Sequence, residues 1–232
     1  MDHKQLLVTG CGRSGTKYIS LLLRMLGKDI SHESGEVLGK DGIASWYLAA
    51  DCDRAPFGPG SRGLAFEHIF HQVRHPLKVI PSMGDFRKDS WEFLSQWVAV
   101  SDDEPLTLRC AKLWCDWNEL AESKATWRYR IEALPEIFEE FCARLNVPAD
   151  RSALQRVPTN INVRPKRFEN LSWHLEMYNY ERRSWHGTKL RQLLLALSGD
   201  QKRPSLTWAQ LKALDSQVYQ RVREKAYFYG YE

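Results

Sequence analysis

LLVTGCGRSGTKYISLLLRMLG, residues 6–27, is the stretch on which the reading of this chain turns. Leu6, Leu7 and Val8 form a short apolar run ending in Thr9-Gly10, the pattern of a buried parallel strand. Tyr18 to Gly27 reads as a helix stopped by its terminal glycine. Between them lies Gly10-Cys11-Gly12-Arg13-Ser14-Gly15-Thr16-Lys17. Strand, glycine-rich loop and helix open a nucleotide-binding α/β fold. The glycines let the backbone curl and turn its N–H groups inward. The following helix directs its positive end to the same place. Arg13 and Lys17 add charge, and Ser14 and Thr16 add hydroxyl donors. So many converging donors suit a phosphate or sulfate better than a plain connecting turn.

The loop is not a Walker A sequence, which runs G-x-x-x-x-G-K-[S/T]. Gly10 and Gly15 have that separation, but Thr16 and Lys17 stand in reversed order. No apolar strand ends in the Asp that usually holds magnesium; the later strands end in Arg74 and Glu132. A donor that needs no metal fits both facts.

Working outward, Asp29 to Glu33 reads as a second strand and Phe66 to Arg74 as a third, closed by His75-Pro76. Pro76 can open a helix. Asp51 to Gly63 is a Pro- and Gly-rich loop. Trp91 to Val100 and Leu108 to Ser123 read as helices, Trp127 to Glu132 as a strand, and Ala133 to Leu145 as an amphipathic helix. Residues 158 to 205 are rich in Arg, Lys, Asn, Trp and His with weak periodicity, and Thr207 to Tyr227 reads as a final helix. The expectation is a single domain over residues 1–232: α/β, a three-layer P-loop-type fold with a central parallel sheet flanked by helices. Specificity loops are expected at 34–65 and 165–205.

Composition agrees with one folded domain: 232 residues, 43% apolar, 12% aromatic. A formal charge of +4 suits an anionic ligand without calling for nucleic acid, and no regular basic–aromatic pattern suggests one. Five cysteines, an odd number with no zinc spacing, fit a reducing compartment. No leader pattern opens the chain. The apolar run Ile19 to Leu23 stops at Arg24, far short of the ~20 residues that cross a bilayer. The expectation is a soluble cytoplasmic protein, with no membrane partner.

A second anion site is read in Arg74-His75-Pro76-Leu77-Lys78-Val79-Ile80-Pro81-Ser82. Arg74 stands at the carboxyl end of a strand, where open α/β sheets bind ligands. Ser82, eight residues on, can return its hydroxyl toward the guanidinium across a short helical turn, and the pair would hold a phosphate. Two anion sites in a small fold suggest a ligand with phosphate at both ends.

These motifs carry a resemblance. GCGRSGTKY resembles the 5′-phosphosulfate loop of the sulfotransferases that use 3′-phosphoadenosine 5′-phosphosulfate (PAPS), and RHPLKVIPS resembles their 3′-phosphate segment, Arg-to-Ser spacing included. Tyr129 to Leu134 is similar to the family's R-Y-E-D-L segment, and Trp208 to Tyr231 to its last helix. The resemblance touches the first third, the middle and the end of the chain. It implies PAPS as co-substrate, adenosine 3′,5′-bisphosphate (PAP) as product, no metal, and a hydroxyl or amine acceptor on a small molecule or carbohydrate. It implies donor contacts at Gly12, Arg13, Ser14, Gly15, Thr16, Lys17, Tyr18, Arg74 and Ser82. Arg13 stands where many cytosolic members carry Lys. The C-terminal Arg-Lys-Gly type segment is not found; Asn162, Arg164 and Lys166 are the candidates to replace it. The family's short dimerisation motif has no match.

Sulfuryl transfer needs in-line geometry, stabilisation of a phosphate leaving group and a base for the acceptor proton. Arg13, aided by the loop amides, Ser14 and Thr16, is the stabiliser, and Lys17 is the second candidate. The family uses His or Glu as base, and His32-Glu33 follows the second strand. Glu33 is the first candidate and His32 the second. His68 and His71 alternate to opposite faces of one strand, which rejects them as a metal pair. Trp46 is kept as a candidate acceptor contact; Arg164 to Arg167 and Arg182-Arg183 read as solvated faces. Two alternatives stand beside this reading: a P-loop small-molecule kinase using ATP, and a non-catalytic adenosine-bisphosphate-binding protein.

Overall fold

A computed structural model describes residues 2–33, 38–51, 63–157 and 205–232. Five parallel strands make one sheet: β1 (Asp2–Thr9), β2 (Ile30–His32), β3 (Gly42–Ala44), β4 (Leu64–Val73) and β5 (Trp127–Arg130), in the order β2-β3-β1-β4-β5. Leu7 pairs with Ile43 on one side and Ile69 on the other, so β1 is central. Alternation along β1 sends Leu6 and Val8 into one apolar cluster and Leu7 into another.

Helices cover both faces. On one, α1 (Thr16–Met25), α5 (Phe138–Arg144) and α6 (Ser152–Arg156) enclose a core of Leu6, Val8, Ile19, Leu22, Phe70 and Phe141. On the other, α2 (Pro76–Met83), α3 (Lys88–Leu94), α4 (Leu106–Lys124), α7 (Trp208–Leu214) and α8 (Ser216–Phe228) surround Trp114, Trp117, Val79 and Phe93. The expected three-layer α/β architecture with a parallel sheet is what the chain forms. Among the described residues no helix is long and apolar enough to cross a membrane.

The structure corrects the sequence reading at several elements. Phe66–Arg74 is not the third strand but the body of the fourth. The third, Gly42–Ala44, lies inside the stretch 34–65 expected to be a loop, followed by a 3₁₀ turn at Tyr47–Ala49. Three residues led by a glycine carry no alternation to detect. Gly42 is required by close approach, because a Cβ there would stand 1.9 Å from the Leu6 carbonyl oxygen. The helix expected over Ala133–Leu145 begins only at Phe138, after a 3₁₀ turn at Ile131–Ala133. Leu134 itself keeps helical backbone, but Pro135 supplies no N–H and Ile137 leaves the helical region (φ −101°, ψ 14°), so the regular helix starts only after it. The helix expected over Trp91–Val100 is Lys88–Leu94. The single helix expected over Thr207–Tyr227 is two, broken at Asp215, whose extended backbone lets its carboxylate cap the second by accepting from Val218 N–H (2.8 Å). Residues 52–62 and 158–204 lie outside the described residues. With them go most of the loop at 51–63, nearly all of the one expected at 165–205, and Asn162, Arg164, Lys166 and the cationic stretches.

Candidate functional site

The chain leaves β1 for strands on one side of the sheet and crosses back to β4 on the other. The carboxyl ends of β1 and β4 therefore border the switch point where open α/β sheets bind ligands. Gly10 is held there by close approach: a Cβ would lie 2.2 Å from the Gln72 carbonyl oxygen of β4. The loop that follows is gripped from outside. Asn118 Oδ1 of α4 accepts the Cys11 N–H (3.3 Å), Gln72 Nε2–H donates to the Ser14 carbonyl (2.9 Å), and Arg74 Nη1–H donates to the Arg13 carbonyl (3.1 Å). Arg13 has a φ of +68°, in the left-handed region that costs a side-chain-bearing residue about 1–2 kcal/mol; such backbone persists where surrounding contacts over-determine it. With these carbonyls turned onto side chains, the amides of the first turn of α1, which have no i−4 partner, head the loop. Ser14 Oγ is buried and has no hydrogen-bond partner among the described residues.

Glu33, just past β2, reaches this loop. Its Oε1 accepts the Thr16 hydroxyl (3.1 Å) and the Trp46 N–H (3.0 Å). Its Oε2 faces His32 Nε2 at 3.6 Å, too far for a hydrogen bond. His32 Nε2 lies 3.1 Å from the same Thr16 hydroxyl. Burial raises the Glu33 pKa to about 7, although both hydrogen bonds and the charges of Arg13 and Lys17 pull it down. Burial, then Lys17 and Arg24, hold His32 well below its ordinary value, so it is neutral near pH 7. Glu33, His32, Thr16, Lys17 and Arg13 thus form one electrostatic group. Tyr47, bonded to Ser90, borders it; its pKa is raised by burial and by Glu33.

Across the loop, Arg74 is bound to the Arg13 carbonyl, so the two expected anion sites are neighbours on adjacent strand ends. Ser82 donates its hydroxyl to the Val79 carbonyl of its own helix (3.0 Å). The C-terminus closes this side. Glu132 accepts from the His75 N–H (3.1 Å) and the Tyr231 hydroxyl (2.8 Å), and Arg130 donates to the Gly230 carbonyl. Tyr18 packs half-buried against the cluster that holds Tyr129.

Trp46, the candidate acceptor contact, is only 5% exposed and stacks on Phe86 (centroids 5.3 Å apart), while Phe86 lies beneath the Arg13 guanidinium. It lines the back of the loop as core. His71 is buried and shares Asn118 Oδ1 (3.0 Å), whereas His68 is partly exposed beside Glu67. Gln72, Asn118, Tyr129 and Phe86 were not among the expected site residues. Gln72 had a signal, an amide in the apolar end of a buried strand; Asn118 sits in an ordinary helical pattern and had none.

A scan against protein-family models finds no family that matches this chain, and a search of curated proteins finds no relative.

Proposed function

We propose that this chain is a PAPS-dependent sulfotransferase of the cytoplasm, moving a sulfuryl group to a hydroxyl or amine of a small-molecule or carbohydrate acceptor. The observation that carries the reading is the Glu33–Thr16 hydrogen bond. It sets a carboxylate with a pKa of about 7 at the head of a glycine loop furnished with Arg13 and Lys17. A base near its operating pH beside an anion cradle is what sulfuryl transfer needs. Arg74 at the neighbouring strand end supports the second half of the reading, a donor with a further phosphate.

In this reaction the acceptor oxygen or nitrogen forms a bond to sulfur and its proton passes to Glu33. Oε2 is the basic oxygen, since Oε1 already accepts two donors. The bond between sulfur and the bridging phosphate oxygen breaks, and its electron pair stays on the 5′-phosphate of PAP. Arg13, Lys17 and the loop amides offset the charge that grows there. His32, neutral and within reach of Thr16, is the second candidate base.

Thermal shifts with PAP and with ATP–magnesium, followed by turnover of labelled PAPS over an acceptor panel, test the proposal. Stabilisation by PAP and label transfer that Glu33→Gln removes are expected. Stabilisation by ATP–magnesium alone would instead identify a kinase. Stabilisation by PAP with no transfer to any acceptor would identify a binding protein.

A further inference from the structure

Gln72 is fully buried near the end of β4, where amide side chains are seldom found without a polar task. Both ends of its amide are engaged. The Tyr129 hydroxyl of β5 donates to its Oε1 (2.5 Å), and its Nε2–H donates to the Ser14 carbonyl (2.9 Å). The Ser14 carbonyl can only accept, so the N–H₂ end of the amide must face the loop, and Oε1 is left to accept from the Tyr129 hydroxyl, which holds the amide in place. Gly15 fits the same arrangement: a Cβ there would meet Gln72 Nε2 at 3.3 Å, so the loop lies directly on this amide. Asn118 fixes the Cys11 N–H from the opposite face of β4 and is itself locked by donating to the Trp114 carbonyl (2.7 Å).

We propose that Gln72, held in place by Tyr129, is a positioning residue of the anion loop: by drawing the Ser14 carbonyl down toward the sheet it keeps a carbonyl lone pair out of the cradle and turns the Gly15 N–H, on the far side of the same trans peptide, into it. The proposal rests on the reading of the loop as an anion site and holds for inorganic pyrophosphate as for PAP. Neither Gln72 nor Tyr129 touches the ligand; the effect passes through the peptide between Ser14 and Gly15.

A pair of substitutions separates positioning from stability. Gln72→Met keeps the shape but removes the donor and strands the Tyr129 hydroxyl, so both melting temperature and anion affinity fall. Adding Tyr129→Phe removes the stranded hydroxyl and restores part of the melting temperature. The loop stays unclamped, so calorimetric affinity for pyrophosphate and for PAP remains about ten-fold below wild type. Affinity that returns with the melting temperature, or that never fell, would overturn the proposal. Should Gln72→Met not fold, Tyr129→Phe alone suffices: without its phenol partner the amide is no longer held against Ser14, pyrophosphate binding weakens several-fold, and an unchanged affinity overturns the proposal. A wild type that binds pyrophosphate but not PAP would remove the PAPS reading while leaving the clamp to be judged on pyrophosphate; a wild type that binds neither would remove both.

Discussion

At the scale of single residues the site is dominated by Glu33, a carboxylate that folding forces to hold its proton. Its pKa rises from an ordinary 4.5 to about 7 because burial outweighs its hydrogen bonds and two nearby cations. Between those two values the folded chain carries a proton that the unfolded chain has released, so this group makes stability fall as pH rises through that window. Glu33→Gln removes the penalty. Urea unfolding should show the variant close to wild type near pH 4.5 and about 2–3 kcal/mol more stable at pH 8. The same substitution should lower turnover about 10²–10⁴-fold, and wild-type turnover should rise with pH to a plateau above about 7. A variant less stable than wild type at pH 8 would contradict the buried-base account. Gly10 gives a second prediction at this scale. A methyl group 2.2 Å from a β4 carbonyl cannot be relieved by a rotamer change. Gly10→Ala should therefore lose about 3 kcal/mol or more in denaturant titration, with loss of anion binding.

At the scale of elements, what was legible in the sequence was what repeats. β1 and α1 follow from a buried apolar run and a glycine stop, and α4 from a long helical pattern. The breaks were harder to see because each turns on one residue. Asp215 sits in an amphipathic stripe that runs from Trp208 to Val222, and only its extended backbone shows that the stripe belongs to two helices. Its carboxylate caps α8, so Asp215→Ala should cost about 1 kcal/mol in urea unfolding while leaving anion binding intact. β3 was hidden by brevity, since a three-residue strand has no period. The site divided in the same way. Arg13, Thr16 and Lys17 were legible because charge, hydroxyls and glycines cluster in one loop, Arg74 because it closes a strand, and Glu33 only through the family resemblance. Gln72, Asn118 and Tyr129 hold the loop from β4, α4 and β5, and only the fold brings those three elements together.

At the scale of the whole molecule, the sheet order decides which loops meet. Because β1 and β4 are neighbours whose connections diverge, the loop after one and Arg74 after the other lie side by side at the carboxyl edge of the sheet. Glu33 approaches the loop from the β2 side, so Glu33, the glycine loop and Arg74 line up across the carboxyl edge of the sheet. The central claim is that one nucleotide is gripped at both ends there, and a ligand–residue cycle tests it most directly. Calorimetric affinities of wild type and Arg74→Ala are compared for PAP, which carries the 3′-phosphate, and for adenosine 5′-phosphosulfate, which lacks it. A charged hydrogen bond contributes about 1.5–3 kcal/mol, so Arg74→Ala should weaken PAP at least about ten-fold more than adenosine 5′-phosphosulfate. Equal losses for the two ligands, or none, would mean that Arg74 does not read a 3′-phosphate and would contradict the account.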